Sequence, residues 1–384
     1  MTTPLPRDQF AVTKDHVYLN HAAVGVLPQS SLEALSAALR AQAQGGVLGT
    51  YRNEARMDEF RAAIGRFIGA SGDEIAVVAN TSAGANAIAL GIDWQAGDEV
   101  LLCDNEFPAN AIPWLALQSR GVVARVLPAQ QQRLTPDVLR RTITARTRVV
   151  AVSWVSYADG YRHDLGALSE VARTAGAWLC VDPIQGLGAF PLDVRQLGID
   201  ALYCGAQKWM LGLQGVGFLY VRGELLERIA PAMPGWRSMC DIWDFGNFGQ
   251  PFAPDASRYE GGTPNFLGAL SLGEAIDLFE RCGGPAAIGP HVLALTDRLY
   301  EGLRRAGAQL ATLRGEGISS GIVTFAMPGC DSIELGKALQ QSGIVTTYRS
   351  NGIRVAPHGY NDSEEIDRLL EAVTQYAPAL AAKL

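Results

Sequence analysis

Short apolar runs recur through the N-terminal two thirds of the chain, and most are followed by a segment with helical spacing of its apolar residues. The runs are rich in Val, Ile and Leu without alternating polar positions, which is typical of strands buried on both faces of a sheet. Alternating strands and helices predict a mostly parallel, helix-covered sheet. We predict strands at 74–79, 97–103, 121–127, 148–155, 178–182, 202–205 and 218–221, and helices at 28–44, 53–68, 85–91, 135–143 and 165–175.

The pattern changes after a loop-rich tract at 231–265, whose many aromatic residues argue against disorder. The C-terminal third then reads as a smaller α+β unit. The predicted architecture is α/β, with a large domain over 21–270 and a small domain formed by 1–20 and 271–384. The elements predicted for the C-terminal third are helices at 266–281, 291–306, 332–341 and 363–376, and strands at 321–326 and 344–347.

Composition narrows the function classes. The 384 residues carry a formal net charge of −7, which disfavours nucleic acid or an anionic membrane as a main partner. The six cysteines are far apart and include no C-x-x-C pair, and the five histidines are scattered, so no metal site is expected. No apolar run is long enough to cross a membrane, and no hydrophobic signal segment is present. We therefore expect a cytoplasmic protein.

Lys208 is the most unusual polar residue in the sequence. It follows the strand predicted at 202–205 and is flanked by Trp209 and Met210, although an ammonium group is rarely placed among apolar side chains. Partial burial lowers the pKa of an amine and makes it a nucleophile. A Schiff base to pyridoxal phosphate needs such a lysine together with an acidic partner, and Asp182 ends the preceding strand. The alternative is a lysine that caps a turn and lays its stem over apolar neighbours.

A strand, a small hydroxylated turn at 80–84 and the start of a helix together predict an anion site. Free N–H groups and the positive end of the helix dipole would both face the ligand. Ser82 is a candidate for both helix cap and phosphate ligand. Taken alone the pattern is a weak signal, because Ser or Thr before a helix is usually only a cap.

Three segments together resemble the class V aminotransferase family, which comprises pyridoxal-phosphate enzymes of fold type I, including cysteine desulfurases, isopenicillin N epimerases and C–S lyases. The similarity extends from about Tyr18 to about Leu370. The segments that carry it are 181–188 (VDPIQGLG), 200–208 (DALYCGAQK) and 215–220 (GVGFLY).

The resemblance implies pyridoxal 5′-phosphate as cofactor and assigns roles around its ring. Lys208 would form the Schiff base and later move the α-proton of the substrate. Asp182 would keep the ring nitrogen protonated, and Gln185 matches the residue at the phenolic oxygen. Phe107 matches the residue that stacks on the ring. Gln207, next to the lysine, stands where desulfurases usually have His and is similar to the aminotransferase branches.

The resemblance also implies where phosphate and substrate bind. Ser82 and Ala83 match the phosphate-binding turn, and Thr263 matches a hydroxyl that reaches the phosphate of a neighbouring subunit, which implies a homodimer with a shared active site. Arg354 matches the arginine that holds the α-carboxylate of the substrate; a structural ion pair is the alternative. Asn20 opens a loop that borders the substrate pocket in the family. Arg237 is a candidate for an acidic substrate group or for a structural salt bridge.

The type of reaction is less determined. Desulfurases of the family carry a nucleophilic Cys shortly before the carboxylate-binding arginine, whereas residues 346–351 (TTYRSN) contain none. The sequence therefore favours aminotransferase or C–S lyase-like chemistry on an amino acid. Epimerisation and cysteine desulfuration remain alternatives, and a binding or regulatory protein on the same scaffold is the non-enzymatic one.

Overall fold

A computed structural model describes residues 3–49, 55–128 and 133–381. Its largest sheet has seven strands in the order β2-β8-β7-β6-β5-β3-β4, and only β8 runs antiparallel to its neighbours. The predicted α/β class with a mostly parallel sheet is confirmed. The strands are β2 (Ile75–Val78), β3 (Glu99–Cys103), β4 (Val123–Leu127), β5 (Thr147–Ser153), β6 (Trp178–Asp182), β7 (Ala201–Gly205) and β8 (Gly217–Val221).

Helices cover both faces of this sheet, as the unbroken apolar runs predict. Successive residues of one strand point to opposite faces. Val149 and Ala151 accordingly pack with Trp114 on one side, whereas Val150 and Val152 belong to the core on the other side. The helices of this part are α1 (Gln29–Gly45), α2 (Met57–Ile68), α3 (Thr81–Gly91), α4 (Pro108–Leu115), α5 (Pro136–Thr142), α6 (Leu165–Thr174) and α7 (Phe266–Arg281).

The C-terminal part forms an antiparallel sheet of four strands, in the order β12-β13-β10-β9. The N-terminal strand β1 (Val17–Tyr18) pairs in parallel with β11 (Ile344–Val345), so the start of the chain joins this part. The division into domains at residues 20 and 270 stays a prediction. The remaining elements are β9 (Gln309–Leu310), β10 (Val323–Ala326), β12 (Thr347–Arg349), β13 (Gly352–Val355), α8 (Gly284–Arg305), α9 (Ser332–Gln341) and α10 (Ser363–Ala381).

Some predicted boundaries were wrong. Helix α8 begins at Gly284, seven residues before the predicted start, and contains Pro290. The strand predicted at 344–347 is divided into β11 and β12. The helix predicted from Asn53 begins at Met57 in the structure, and residues 53 and 54 lie outside the described part. Among the described residues, no helix combines the length and the apolarity that crossing a membrane requires.

Candidate active site

Chemically active side chains meet at one edge of the large sheet. Strands β3, β5, β6 and β7 run in the same direction, and each is followed by a polar or aromatic residue at its carboxyl end. Open α/β sheets bind ligands at this edge. Strand β2 also ends there, because Val78 and Gly205 both pair with Gly217 of β8. The residues at or just beyond these strand ends are Asn80, Phe107, Tyr157, Asp182 and Lys208.

Lys208 sits in a tight turn that directs its amine into the site. The turn closes through Leu211, whose N–H donates to the Lys208 carbonyl at 3.0 Å. Leu211 has φ +55°, and no other non-glycine residue in the described segments has a positive φ. Such a conformation is costly for a branched residue and is kept only where surrounding packing enforces it. The Nζ atom lies 5.2 Å from the centroid of the Phe107 ring.

The electrostatic setting makes the amine of Lys208 more nucleophilic than an ordinary lysine. Burial lowers its pKa to about 8, Asp182 opposes that change, and Arg354 adds to it. At neutral pH a useful fraction of the amine is therefore unprotonated. The alternative of a turn-capping surface lysine does not fit an amine held between these charges.

The protein does little to stabilise the buried charge of the Asp182 carboxylate. Its residue is 2% exposed, and its Oδ1 accepts a hydrogen bond from the Ile184 N–H at 3.0 Å. Burial raises its pKa to about 7; Lys208 works against this shift and the negative Glu106 adds to it. A cationic group bound beside Asp182 would stabilise its ionised form.

Arg354 on β13 points to the same site without a carboxylate partner among the described residues. Its Nη1 donates to the Tyr157 carbonyl at 2.8 Å, and its Nη2 lies 3.5 Å from Oγ1 of Thr347. Its buried Nε has no hydrogen-bond partner. Burial, together with the nearby charge of Arg349, lowers the pKa of this guanidinium to about 10. Unpaired buried polar atoms are rare in proteins. An anionic ligand explains this one better than a structural ion pair.

Aromatic and polar contacts connect Arg354 to the amine. The Tyr157 ring packs edge-on against Phe107 at 5.2 Å between centroids, and Phe107 in turn lies beside Lys208. On the other side of Arg354, the Thr347 hydroxyl donates to Oδ1 of Asn20 at 2.6 Å. The predicted substrate residue Asn20 thus lies next to the arginine, two hydrogen bonds away.

The segment predicted to bind an anion forms a helix N-terminus, but its cap is not the predicted residue. Asn80, and not Ser82, caps α3, because its Oδ1 accepts from the Ala83 N–H at 2.9 Å. Thr81 fixes this end to β7 by accepting from the Gly205 N–H at 3.0 Å. A pocket of about 430 Å³ opens beside Ala83 and is also lined by Thr263.

Three other predicted site residues have contacts that the sequence did not indicate. The amide of Gln185 is engaged by the protein: it donates to the Ala22 carbonyl and accepts from the Trp209 Nε1–H, both at 3.0 Å. The carbonyl of Gln207 accepts from the Gly25 N–H at 2.7 Å. Arg237 lines a separate pocket with Asp58 and Arg61, and neither Lys208 nor Arg354 borders it.

A buried polar network behind Asp182 was missed by the sequence analysis. Glu106 accepts hydrogen bonds from the N–H and hydroxyl of Ser153 and from Nδ2 of Asn110. The Tyr203 hydroxyl donates to Asn110 Oδ1 at 2.5 Å. The sequence signal was a charged residue three positions after an apolar strand and one position before Phe107. This network fixes the segment that carries Phe107, because all four of its side chains are buried.

Comparison with known proteins shows what the chain is similar to. The aminotransferase class-V family model matches residues 17–369. A probable cysteine desulfurase of Methanothermobacter thermautotrophicus is 29% identical over 405 residues, covering 98% of each chain. The apo structure of a cysteine desulfurase from Thermococcus onnurineus superposes with a TM-score of 0.89 at 25% identity, covering 98% of this chain and 99% of the other. The cystine C–S lyase C-DES, solved with its product cysteine persulfide, gives 0.88 at 26% identity, covering 95% and 99%.

Proposed function

The chain belongs to the class V aminotransferase family of pyridoxal-phosphate-dependent enzymes, and from this premise we propose that it acts at the α-carbon of an amino acid, with Lys208 as the residue that holds the cofactor and moves the proton. The observation that carries the proposal is the shared sheet edge, where a buried carboxylate, an amine of lowered pKa and an unpaired guanidinium converge.

The residues present fit pyridoxal phosphate. Asp182 forms no ion pair with any residue that the structure describes, and it would pair with the protonated ring nitrogen. Phe107 offers a ring face beside the amine, with 39% of its residue still exposed. The N-terminus of α3 at Ala83, with Thr263 across the same pocket, suits a phosphate. Bound there, the cofactor acts as an electron sink that stabilises negative charge at the α-carbon of an amino acid.

Each protein residue then has a separate task. Arg354 binds the α-carboxylate of the substrate, and Asn20 orients it through Thr347. Lys208 would hold the cofactor covalently, and its amine, with a pKa lowered to about 8, would accept the α-proton of the substrate. Asp182 keeps its charge beside the ring nitrogen. Gln185 and Gln207 border the cofactor, and Ser82 is proposed with Ala83 at the phosphate.

The chemistry that follows proton removal is proposed to be C–S lyase-like or aminotransferase-like. The chain resembles desulfurases, but residues 346–351 contain no Cys. Cys204, which interacts electrostatically with Lys208, is fully buried and has its pKa raised by burial, so it is a poor nucleophile. A reaction that needs no persulfide on the enzyme is therefore favoured over desulfuration, and epimerisation remains an alternative.

We also propose a homodimer in the cytoplasm. All six cysteines are free in the structure, which fits a reducing compartment. Thr263 borders the phosphate pocket from the tract at 231–265, and exposed aromatic residues of that tract, such as Phe248 at 93% exposure, suit a subunit interface.

The test is a direct search for the covalent link. The purified protein is loaded with pyridoxal phosphate, reduced with borohydride and digested, and the labelled lysine is identified by mass spectrometry. We expect label on Lys208. Lys208→Ala removes it, whereas Lys337→Ala, on the exposed face of α9, leaves it in place.

A panel of amino acids assayed for keto acid, sulfide and inversion of configuration then assigns the reaction. Protein that takes up no cofactor and shows no absorption change with any amino acid would contradict the proposal and favour a binding or regulatory role.

A further inference from the structure

A second, smaller pocket beside Arg354 carries more positive charge than the binding of a single carboxylate requires. It has a volume of about 70 Å³, enough for a small acidic group, and is bordered by Tyr157, Thr347, Arg349 and Asn351 in addition to Arg354. Two of its lining residues are arginines, and none is Asp or Glu. Tyr157 borders this pocket and contacts Phe107, which lies beside the amine of Lys208, so aromatic contacts connect the pocket to the amine.

Strand register explains why both guanidinium groups reach the same pocket. Thr347 of β12 lies directly opposite Arg354 of β13, so these two side chains share a face of the sheet. Arg349 is two residues further along β12 and therefore points to that same face. A diagonal pair of this kind is separated by about 7–8 Å at the backbone, within reach of long side chains.

The two cations are not balanced by the protein. Among the described residues, neither Arg349 nor Arg354 forms an ion pair, and the proximity of Arg349 adds to the burial that already depresses the pKa of Arg354. Like charges on neighbouring strands repel each other, although less at a diagonal position than directly opposite. A pair kept in this arrangement beside a pocket is explained by an anionic ligand with two negative groups.

We propose that the preferred substrate is an amino acid with a second acidic group on its side chain (carboxylate, sulfinate or sulfonate), held by Arg349 while Arg354 holds the α-carboxylate. This inference rests on the proposed function. Arg354 is largely buried and contributes to the binding of every amino acid. Arg349 is exposed and contributes selectivity of at most about 5-fold, because exposed ion pairs are weak and are screened by salt.

Calorimetric titration of cofactor-loaded enzyme tests the second site without turnover. Succinate carries two carboxylates and butyrate one, and neither has an amino group that could react. We expect succinate to bind about 5-fold more tightly than butyrate at low salt, since this is the upper range for an exposed ion pair. Arg349→Gln should remove the difference, and Arg354→Gln should weaken both acids.

Two further variants make the result specific. Arg349→Lys keeps the charge and should retain part of the preference, whereas Arg305→Gln, at the exposed end of α8, should retain all of it. Equal binding of the two acids to the wild type, or a preference that survives in Arg349→Gln, overturns the inference.

The proposed function is tested separately with aspartate and alanine, by the absorption of the bound cofactor. If neither amino acid changes the spectrum, the proposed function itself fails. If both change it at the same half-saturating concentration, and Arg349→Gln alters neither, only the second acidic group is disproved.

Discussion

At the residue scale, Asp182 shows how a site is maintained at the expense of stability. Its pKa rises from 3.8 to about 7 because the folded chain removes it from water. The folded state therefore holds a proton that the unfolded state has lost between these pH values. The penalty is absent below pH 3.8, grows as the pH rises, and is complete above pH 7, where it reaches roughly 4 kcal/mol.

Asp182→Asn is expected to separate stability from function. Without cofactor, the variant should resist denaturant better than the wild type at pH 8, and the advantage should vanish near pH 4, because the wild-type carboxyl is then protonated in both states. Chemical unfolding across this pH range measures the effect. Loaded with cofactor, the same variant should lose about 100-fold or more in turnover, the range expected when one electrostatic partner of the reaction is removed.

The control is Asp367→Asn at an exposed position. Arg298 lowers the pKa of Asp367 by hydrogen bonding, so its stabilising effect is lost as the pH falls, and removal of the carboxylate should cost stability only at higher pH. If both variants changed stability with pH in the same direction, the explanation from burial would be wrong.

Residues at strand ends could be predicted from the sequence, whereas those defined by tertiary contacts could not. Lys208 and Asp182 interrupt apolar runs, and this local contrast was sufficient to select them. The partners of Gln185 are 163 residues earlier and 24 later in the chain, and no local pattern encodes that distance. Glu106 was overlooked because its three hydrogen-bond donors come from two separate segments.

At the element scale, helix α3 places the phosphate end of the site by packing closely on β7. A Cβ added to Gly84 would lie 2.6 Å from Cβ of Tyr203. Although alanine is the better helix former, Gly84→Ala should destabilise the protein by about 1–3 kcal/mol, because a packed interface resists added volume. The affinity for pyridoxal phosphate should fall with it, since the shift moves Ala83. Unfolding curves and cofactor titration measure the two effects.

Gly45→Ala is the matched control for Gly84→Ala, because helix α1 has room for a Cβ at position 45. A Cβ there would meet only Leu48, at 3.9 Å, so we expect unchanged cofactor affinity and a small gain in stability, about 0.5–1 kcal/mol. Equal cofactor affinity in the two variants would contradict the idea that the close fit of α3 on β7 sets the phosphate site.

The type of an element was predictable where a regular apolar pattern extended over many residues. The predicted boundaries were wrong where the pattern was short or interrupted. Helix α7 has the predicted bounds, 266–281, because its apolar stripe is continuous and Asn265 caps it. Helix α8 was placed too late; it continues through Pro290, and buried Ile288 and Val292 on either side of this proline anchor it to the core. Strand β12 was not separated from β11 because each has only two or three residues.

At the scale of the whole molecule, segments from both ends of the chain pack against the turn that carries Lys208. The carbonyl of Trp209 accepts a hydrogen bond from Nε2 of His358, 149 residues later. The ring of His21 lies 5.1 Å from that of His358 and is bonded to the carbonyl of Ala356 and the hydroxyl of Tyr360. The position of the amine is thus set by the complete fold, which explains why the sequence could suggest the lysine but not its surroundings.

Two deficient variants decide whether the active site is shared between subunits. Thr263 and Ala83 line one pocket in the single chain, whereas the family resemblance assigns Thr263 to the partner's phosphate.

Lys208→Ala and Thr263→Ala proteins are mixed, dissociated and reassociated. In a shared site, every mixed dimer regains one intact site, so a 1:1 mixture should recover about a quarter of wild-type activity, from half of the dimers with one of two sites each. If Thr263 serves its own chain, mixed dimers contain no intact site and the activity stays at the average of the two variants. Light scattering should give about 82 kDa, twice the 41.0 kDa chain, for the wild type and for the mixture; a mass of one chain would rule out sharing altogether.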